Sequence, residues 1–388
     1  MWTDPGTTIG IGRRRSHAIP PGMTFAQPRV AVVLPPREGF GPGRTGALGL
    51  IARRLAVTPG FETMVYGGKQ EGQVFPGIPF QPVAPRMLAL GNTNVRYAAA
   101  LAGVLKRNPP DLIEVHNRPE IALALAERLP SIPVTIILNN DPQTMRGATS
   151  PADRAVVLKR LALVMTASDW LRRRFMDGVG LAGREPVILP NCFDMTELPP
   201  ACPREKLIVF AGRVVADKAP DAFVAACAQA LPSLDGWTAA VIGADRFSEN
   251  SPETAFVQTV RRAADVAGVS MLGYRDHPEV LEYMARASIV VMPSRWPEPF
   301  GLVAVEAMAS GAALIAAPRG ALPEVCGEAA LYADPDRIDE MAAAIRLLGS
   351  NDDRRREIAD AGRERARMFD VSVIAPRLAE LRGRVLAG

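Results

Sequence analysis

Short runs of β-branched and apolar residues alternate with stretches of helical period twice along this chain, and that alternation restricts the fold more than any other feature. In the first half the runs fall at 30–34, 112–115, 134–138, 163–167 and 187–189, with helical stretches at 45–56, 94–106, 121–128 and 169–179. In the second half they fall at 207–211, 238–243, 269–272, 289–292 and 313–317, with helical stretches at 221–231, 251–267 and 278–285. Runs that are apolar throughout, rather than alternating with polar residues, belong to strands buried on both faces. Interleaved with helices, they specify a parallel sheet covered on each side. Between the two series, residues 190–206 have no period and carry three prolines after Asn191, as a connector would. The expectation is an α/β chain with two doubly wound, Rossmann-like domains facing a cleft. The first spans 28–193 and the second 206–370. Of three closing helices, at 338–348, 352–368 and 372–386, the last is expected to return to the first domain as residues 371–388. Ligands of such sheets bind beyond the carboxyl ends of the strands, so residues just after strands are the ones to inspect.

The chain has 388 residues, 48% of them hydrophobic and 22% charged, which is more than one core usually holds. Arg, Asp, Pro or Gly interrupts every apolar run well short of the roughly 20 residues that a membrane span needs. Residues 1–27 show no apolar period and read as a disordered lead, with Met23 a candidate natural start. No apolar stretch follows Arg13-Arg14-Arg15, so a cytoplasmic protein is expected. Cys192, Cys202, Cys227 and Cys326 lie far apart without CxxC spacing, which suggests small packing residues rather than a disulfide framework or zinc site. The 45 Lys and Arg against 41 Asp and Glu leave a net charge of +4. That excess demands no nucleic acid, but it suits phosphate-bearing ligands or peripheral contact with an anionic membrane.

The densest signal is PSRWPEPFGLVAVEAMASGAALIAAP at 293–318, directly after a candidate strand. Glu298 lies in the loop, Gly301 opens a helix and Glu306 sits within it. The unpaired amides of that helix start, from Phe300, Gly301 and Leu302, suit a phosphate group. Carboxylates beside such a site can accept hydrogen bonds from sugar or ribose hydroxyls. A solvated loop is the plainer reading. However, Val303, Ala304, Val305, Ala307 and Met308 around Glu306 are apolar, and a charge among them needs a partner. A second strand end, at AGRVVADKAPDAF, brings up Arg213 and Lys218, either as solvated bases or as cations for an anionic ligand.

Gly41, Gly43 and Gly46 spell a dinucleotide fingerprint, so an NAD-dependent dehydrogenase has to be weighed. Against it, Gly41 lies well beyond Leu34, Pro42 removes an amide, and the next acidic residue, Glu62, falls near the start of the second candidate strand rather than at its end. His116 follows a strand, where a structural role and a functional one are both open. Asp334-Pro-Asp336 spells a metal-binding DxD but precedes the helix at 338 and reads as a helix cap.

The 293–318 stretch resembles the Glu-x7-Glu signature of retaining nucleotide-sugar glycosyltransferases of family four, which have the two-domain GT-B fold. The likeness extends over nearly all of the chain after residue 28. It implies that Glu298 holds the transferred sugar and Glu306 the nucleotide ribose. Arg213 and Lys218 resemble the family's diphosphate clamp, and the loop of Gly41 and Gly43 resembles its Gly-rich loop over the donor phosphates. His116 resembles its strand-end histidine near the reacting sugar. Asn139 and Asn140 stand where many relatives carry His. PNCFD at 190–194 resembles the PNGVD link, with Cys192 replacing Gly, and LPEV at 322–325 resembles the segment after the Gly-Gly turn, here Arg319-Gly320.

The resemblance implies a hexosyltransferase that takes a nucleotide-sugar donor, UDP favoured, with no cofactor and no metal. Its acceptor would be a glycan or glycolipid in cell-surface polysaccharide or lipopolysaccharide assembly. Alternatives are an epimerase or hydrolase on the same fold, the dehydrogenase, and a non-catalytic sugar-binding protein.

Overall fold

The computed structural model describes residues 27–85, 91–180, 185–246 and 251–388. Nearly all of the expected lead lies outside them. The first sheet has seven parallel strands: β1 (Arg29–Val33), β2 (Glu62–Gly67), β3 (Phe80–Pro82), β4 (Leu112–His116), β5 (Val134–Leu138), β6 (Leu163–Thr166) and β7 (Val187–Ile188), in the order 3-2-1-4-5-6-7. Its helices are α1 (Ala47–Leu55), α2 (Thr93–Leu105), α3 (Pro119–Arg128), α4 (Pro151–Arg160) and α5 (Asp169–Met176).

The second sheet has six parallel strands: β8 (Glu205–Ala211), β9 (Thr238–Ile242), β10 (Val269–Gly273), β11 (Ala287–Met292), β12 (Ala313–Ala316) and β13 (Leu331–Tyr332), ordered 10-9-8-11-12-13. With it go α6 (Pro220–Ala230), α7 (Ala255–Ala267), α8 (His277–Arg286), α9 (Leu302–Ser310), α10 (Leu322–Cys326), α11 (Ile338–Ser350), α12 (Asp352–Arg367) and α13 (Val371–Ala387). The expected α/β class with two doubly wound parallel sheets is what the chain adopts.

Strand side chains alternate between faces, and each sheet fills two cores accordingly. Ala31 and Val33 point with Ile113, Val115 and Ile136 into the core that also holds Tyr97, Leu101 and Phe175. Val30 and Val32 pack on the other side with Phe40 and Leu50. In the second sheet Val209, Ile242, Val290 and Leu314 face Leu281, Ala304 and Met308, while Ile208, Phe210, Ile289 and Ile315 face Phe223, Val260 and Ile345. Helix α13 crosses back: Ile374, Leu378 and Leu381 pack against Ile51, Leu55, Ile137 and Met165 of the first sheet's layers.

Several contacts bring the carboxyl ends of the two sheets face to face. The Tyr274 hydroxyl, after β10, donates to the carbonyl of Gly43 at 2.8 Å. Ser168 Oγ, after β6, donates to the Pro299 carbonyl at 2.6 Å. The Glu324 carboxylate of α10 accepts the first-turn amides of α5, Asp169 N at 2.7 Å and Trp170 N at 3.0 Å. Among the described residues no helix is long and apolar enough to cross a membrane. Cys192, Cys227 and Cys326 are buried packing residues, but Cys202 is exposed in the proline-rich connector, so packing does not account for it.

Candidate active site

The loop after β11 is shaped by two glycines. Gly301 caps α9 at φ +97°, and a Cβ there would lie 2.6 Å from Leu322 Cδ2, so no L side chain fits. A Cβ on Gly320, at φ +63°, would lie 2.3 Å from the Glu298 carbonyl, which also accepts Ala321 N at 2.7 Å. The turn at Arg319-Gly320 thereby fixes where Glu298 stands.

Glu298 is buried, 6% exposed, and its Oε1 accepts from Ser294 Oγ at 2.7 Å. The same oxygen pairs with the Lys218 ammonium, carried on the loop after the neighbouring strand β8. Arg213 stands two residues past the end of β8, half-buried. The structure thus joins Glu298 to Lys218, which the sequence singled out separately, and adds Ser294, which it did not.

Phe300 is buried, with its ring edge-on to Phe369 at 5.4 Å, so its side chain is core and only its backbone borders the site. Leu302 opens α9 and, with Val303, lies half-buried in a first turn that no side chain caps. Uncapped first-turn amides carry the positive end of the helix dipole.

Glu306, 4% exposed, has the partner that its apolar surroundings required. His277 Nε2 lies 2.9 Å from its carboxylate, and Arg54 Nη2 lies 4.0 Å away. Arg54, on α1 of the first sheet's layers, also donates to Glu197 at 2.6 Å and to the Cys192 carbonyl at 3.0 Å. Sequence reasoning passed over His277, Arg54 and Glu197. The one available signal was the capping box of Asp276 and Glu279, which fixes the start of α8 and places His277 at its first position.

Burial works against an imidazolium at His277, but the adjacent Glu306 outweighs it and raises the pKa above 6.5. A raised pKa means that the folded state holds the proton more tightly. The stabilisation is therefore present in full below about 6.5, the unfolded value, and is lost as pH rises through the higher folded value. Melting curves from pH 5.5 to 8.5 should show the wild type losing its advantage over His277→Gln across that range. A constant difference would mean that the contact does not titrate.

At the opposite strand ends, His116 is the last residue of β4 rather than the residue after it. It is fully buried, so it does not stand on an open cleft wall. Its Nε2 lies 3.7 Å from Glu114 Oε1, and neither ring nitrogen has a hydrogen-bond partner. Asn117 follows at φ +56°, and its Oδ1 accepts Asn139 N at 2.7 Å and Asn140 N at 3.2 Å.

Gly41 and Gly43 lie in the long loop between β1 and α1, with Gly46 as the N-cap of α1. Glu38 of that loop reaches the helix start and accepts Gly49 N at 3.3 Å. Burial raises its pKa, against the amides of Gly49 and Gly46 and the charge of Arg118. A dinucleotide pyrophosphate would need that same helix start. The dehydrogenase reading therefore loses its phosphate seat.

Asp334 does not cap α11, whose N-cap is Arg337. Asp334 instead accepts Asp336 N at 3.0 Å, and Arg319 pairs with Asp334 at 2.8 Å and with Asp336 at 2.6 Å. Among the described residues no group of His, Cys, Asp and Glu is arranged to hold a metal ion.

Residues 200–365 match the family model described as Glycosyl transferases group 1. The exopolysaccharide phosphotransferase of Streptomyces coelicolor is 28% identical over 278 residues, 69% of this chain and 28% of that protein. The chain therefore spans under a third of that relative. Sucrose-phosphate synthase from Thermosynechococcus elongatus superposes with a TM-score of 0.74 at 18% identity, covering 93% of this chain and 99% of the other. HepE of Anabaena in complex with UDP superposes at 0.71 with 21% identity, covering 91% and 99%. These two structures share its fold.

Proposed function

Because the chain belongs to the group 1 glycosyltransferases and has the GT-B fold, we propose that it moves a hexosyl group from a nucleotide diphosphate sugar to a hydroxyl acceptor. Configuration is retained and no bound metal takes part. The observation that carries the reading is the convergence of Glu298, Lys218 and Ser294 beside the uncapped start of α9. In the transfer, the bond from the anomeric carbon to the diphosphate oxygen breaks and one to the acceptor oxygen forms, while the acceptor proton leaves with the diphosphate.

Arg213, Lys218 and the first-turn amides of α9 meet the charge that grows on the leaving diphosphate, the task a metal ion performs elsewhere. Glu298 accepts from sugar hydroxyls and Glu306 from the ribose. The loop of Gly41 and Gly43 covers the donor phosphates. UDP in the Anabaena complex supports a uridine donor. The name of the Streptomyces relative supports a role in polysaccharide assembly, and the slight positive charge suits work at the inner face of an anionic membrane.

Calorimetry with UDP, GDP, ADP and NAD tests the donor. UDP should bind, and Glu306→Ala should weaken it by roughly 1.5 to 3 kcal/mol, the worth of hydrogen bonds to a charged acceptor. Turnover should persist in EDTA. Tight NAD binding without UDP binding, or unchanged UDP affinity in Glu306→Ala, would refute the assignment.

A further inference from the structure

Glu306 stands where three parts of the chain meet: α9 carries it, α8 brings His277, and α1 brings Arg54 from the facing sheet's layers. Both bases approach the same oxygen. His277 Nε2 lies 2.9 Å from Oε1, and Arg54 Nη2 lies 4.0 Å from it. Oε2 has no donor among the described residues, yet it is not one of the buried polar atoms left without a partner. It therefore meets solvent and can accept from a ligand.

The other side of the imidazole is held as well. Its Nδ1 lies 3.8 Å from Glu197 Oε2, and the same carboxylate takes Arg54 at 2.6 Å and Arg53 at 3.1 Å. Two carboxylates thus flank one ring. An imidazolium, with a donor on each nitrogen, fits between them as a neutral ring does not. The pKa raised above 6.5 agrees with that state. A ring pinned at both nitrogens fixes the Glu306 carboxylate in turn, so Oε2 needs no rearrangement when a hydroxyl arrives. A buried charge network can also serve folding alone. The two roles part at the ligand: cutting a network that only supports folding weakens every nucleotide alike, whereas cutting one that aims Glu306 matters only to a nucleotide with ribose hydroxyls.

We propose that His277 is a positioning residue for ribose recognition: it holds Glu306 by Oε1 and leaves Oε2 as the acceptor for the ribose hydroxyls, so that ribonucleotides are told from deoxynucleotides through it. The inference rests on the glycosyl-transfer reading, in which Glu306 meets the ribose, and adds the residue that aims it.

Calorimetry of the full chain with UDP, GDP and ADP, each beside its 2′,3′-dideoxy form, reads the selectivity for the ribose hydroxyls. The diphosphate that binds should do so about tenfold or more tighter than its dideoxy form, as hydrogen bonds to a charged acceptor require. His277→Leu should weaken the ribonucleotide by about tenfold and the dideoxy form by less than about twofold, so that the selectivity collapses. His277→Gln, whose amide donates to the same oxygen, should restore most of it. In a Glu306→Ala background, His277→Leu should cost no further selectivity, because it acts through the missing carboxylate. Should melting curves show that His277→Leu does not fold, His277→Asn reads the same ratio, since its amide stops at the place of Nδ1 and cannot reach Glu306. Equal losses for the two forms of the nucleotide overturn the proposal. Wild-type binding separates the two readings. No binding by any of the three diphosphates removes the glycosyl-transfer reading itself, whereas a ribose selectivity that survives in His277→Leu removes only the role of His277.

Discussion

Replacing Arg382 by alanine should lower the unfolding free energy by about 3 to 5 kcal/mol, because it leaves a carboxylate buried and unpaired. Arg382 lies on α13 and is 1% exposed. Its Nη2 donates to Glu114 Oε1 at 2.8 Å and its Nε to Oε2 at 3.1 Å, and Glu114 on β4 is fully buried. The guanidinium also lies over the Phe61 ring, 5.5 Å from its centroid. Burial alone would push the Glu114 pKa up, but the Arg382 charge and the His116 contact outweigh it and bring it down to about 2. A lowered folded-state value means stability that is present above the unfolded carboxylate value, about 4.3, and is lost as pH falls from there toward 2. Total stability of folded domains is only about 5 to 15 kcal/mol, so the loss should be plain in urea denaturation at pH 7. Arg382→Met with Glu114→Leu removes both charges and should recover most of it. A drop under about 1 kcal/mol in Arg382→Ala would show that α13 is held by its apolar face alone.

That buried pair also shows where sequence reading stops. The parallel-sheet class was legible because strands such as 134–138 and 289–292 are apolar throughout, and only a sheet covered on both faces buries such runs. Elements whose signal was not apolar period went unread. Strand β3 is three residues long and ends in Pro82, which only an edge tolerates. Helix α4 buries only Arg154, Val157 and Leu158, and its evidence is the Ser150–Asp153 capping box with Pro151 at its first position.

At the site, Glu298 and Glu306 were legible because loop and helix spacing are local properties. Their partners were not. Lys218 meets Glu298 across two strands, and His277 and Arg54 meet Glu306 from a different helix and from the other sheet's layers. Glu114 and Arg382 are 268 residues apart. Pairings of that kind are set by topology, and no periodicity in the sequence encodes them.

Lys218→Ala should reduce turnover by on the order of 100- to 1,000-fold, or about 2.7 to 4 kcal/mol of barrier, the loss seen when one donor to a developing anion is removed. The ammonium meets more charge in the transition state than in the bound donor. The effect should therefore fall on kcat more than on the affinity for nucleoside diphosphate. A stability effect accompanies the change, because the Lys218 side chain is only 25% and that of Glu298 8% exposed, so the variant's melting temperature has to be compared with the wild type's before kcat is read. Ser294 still donates to Glu298 in the variant, so the carboxylate keeps a partner. Arg213→Ala should lose a comparable factor. Arg213→Lys should recover only part of it, because an ammonium keeps the charge without the planar fork that binds two phosphate oxygens at once. With saturating acceptor, near-normal kcat in both alanine variants would leave the diphosphate's charge to the α9 amides alone. The clamp would then have to be withdrawn, because those amides are uncapped in the wild type and unchanged by either substitution.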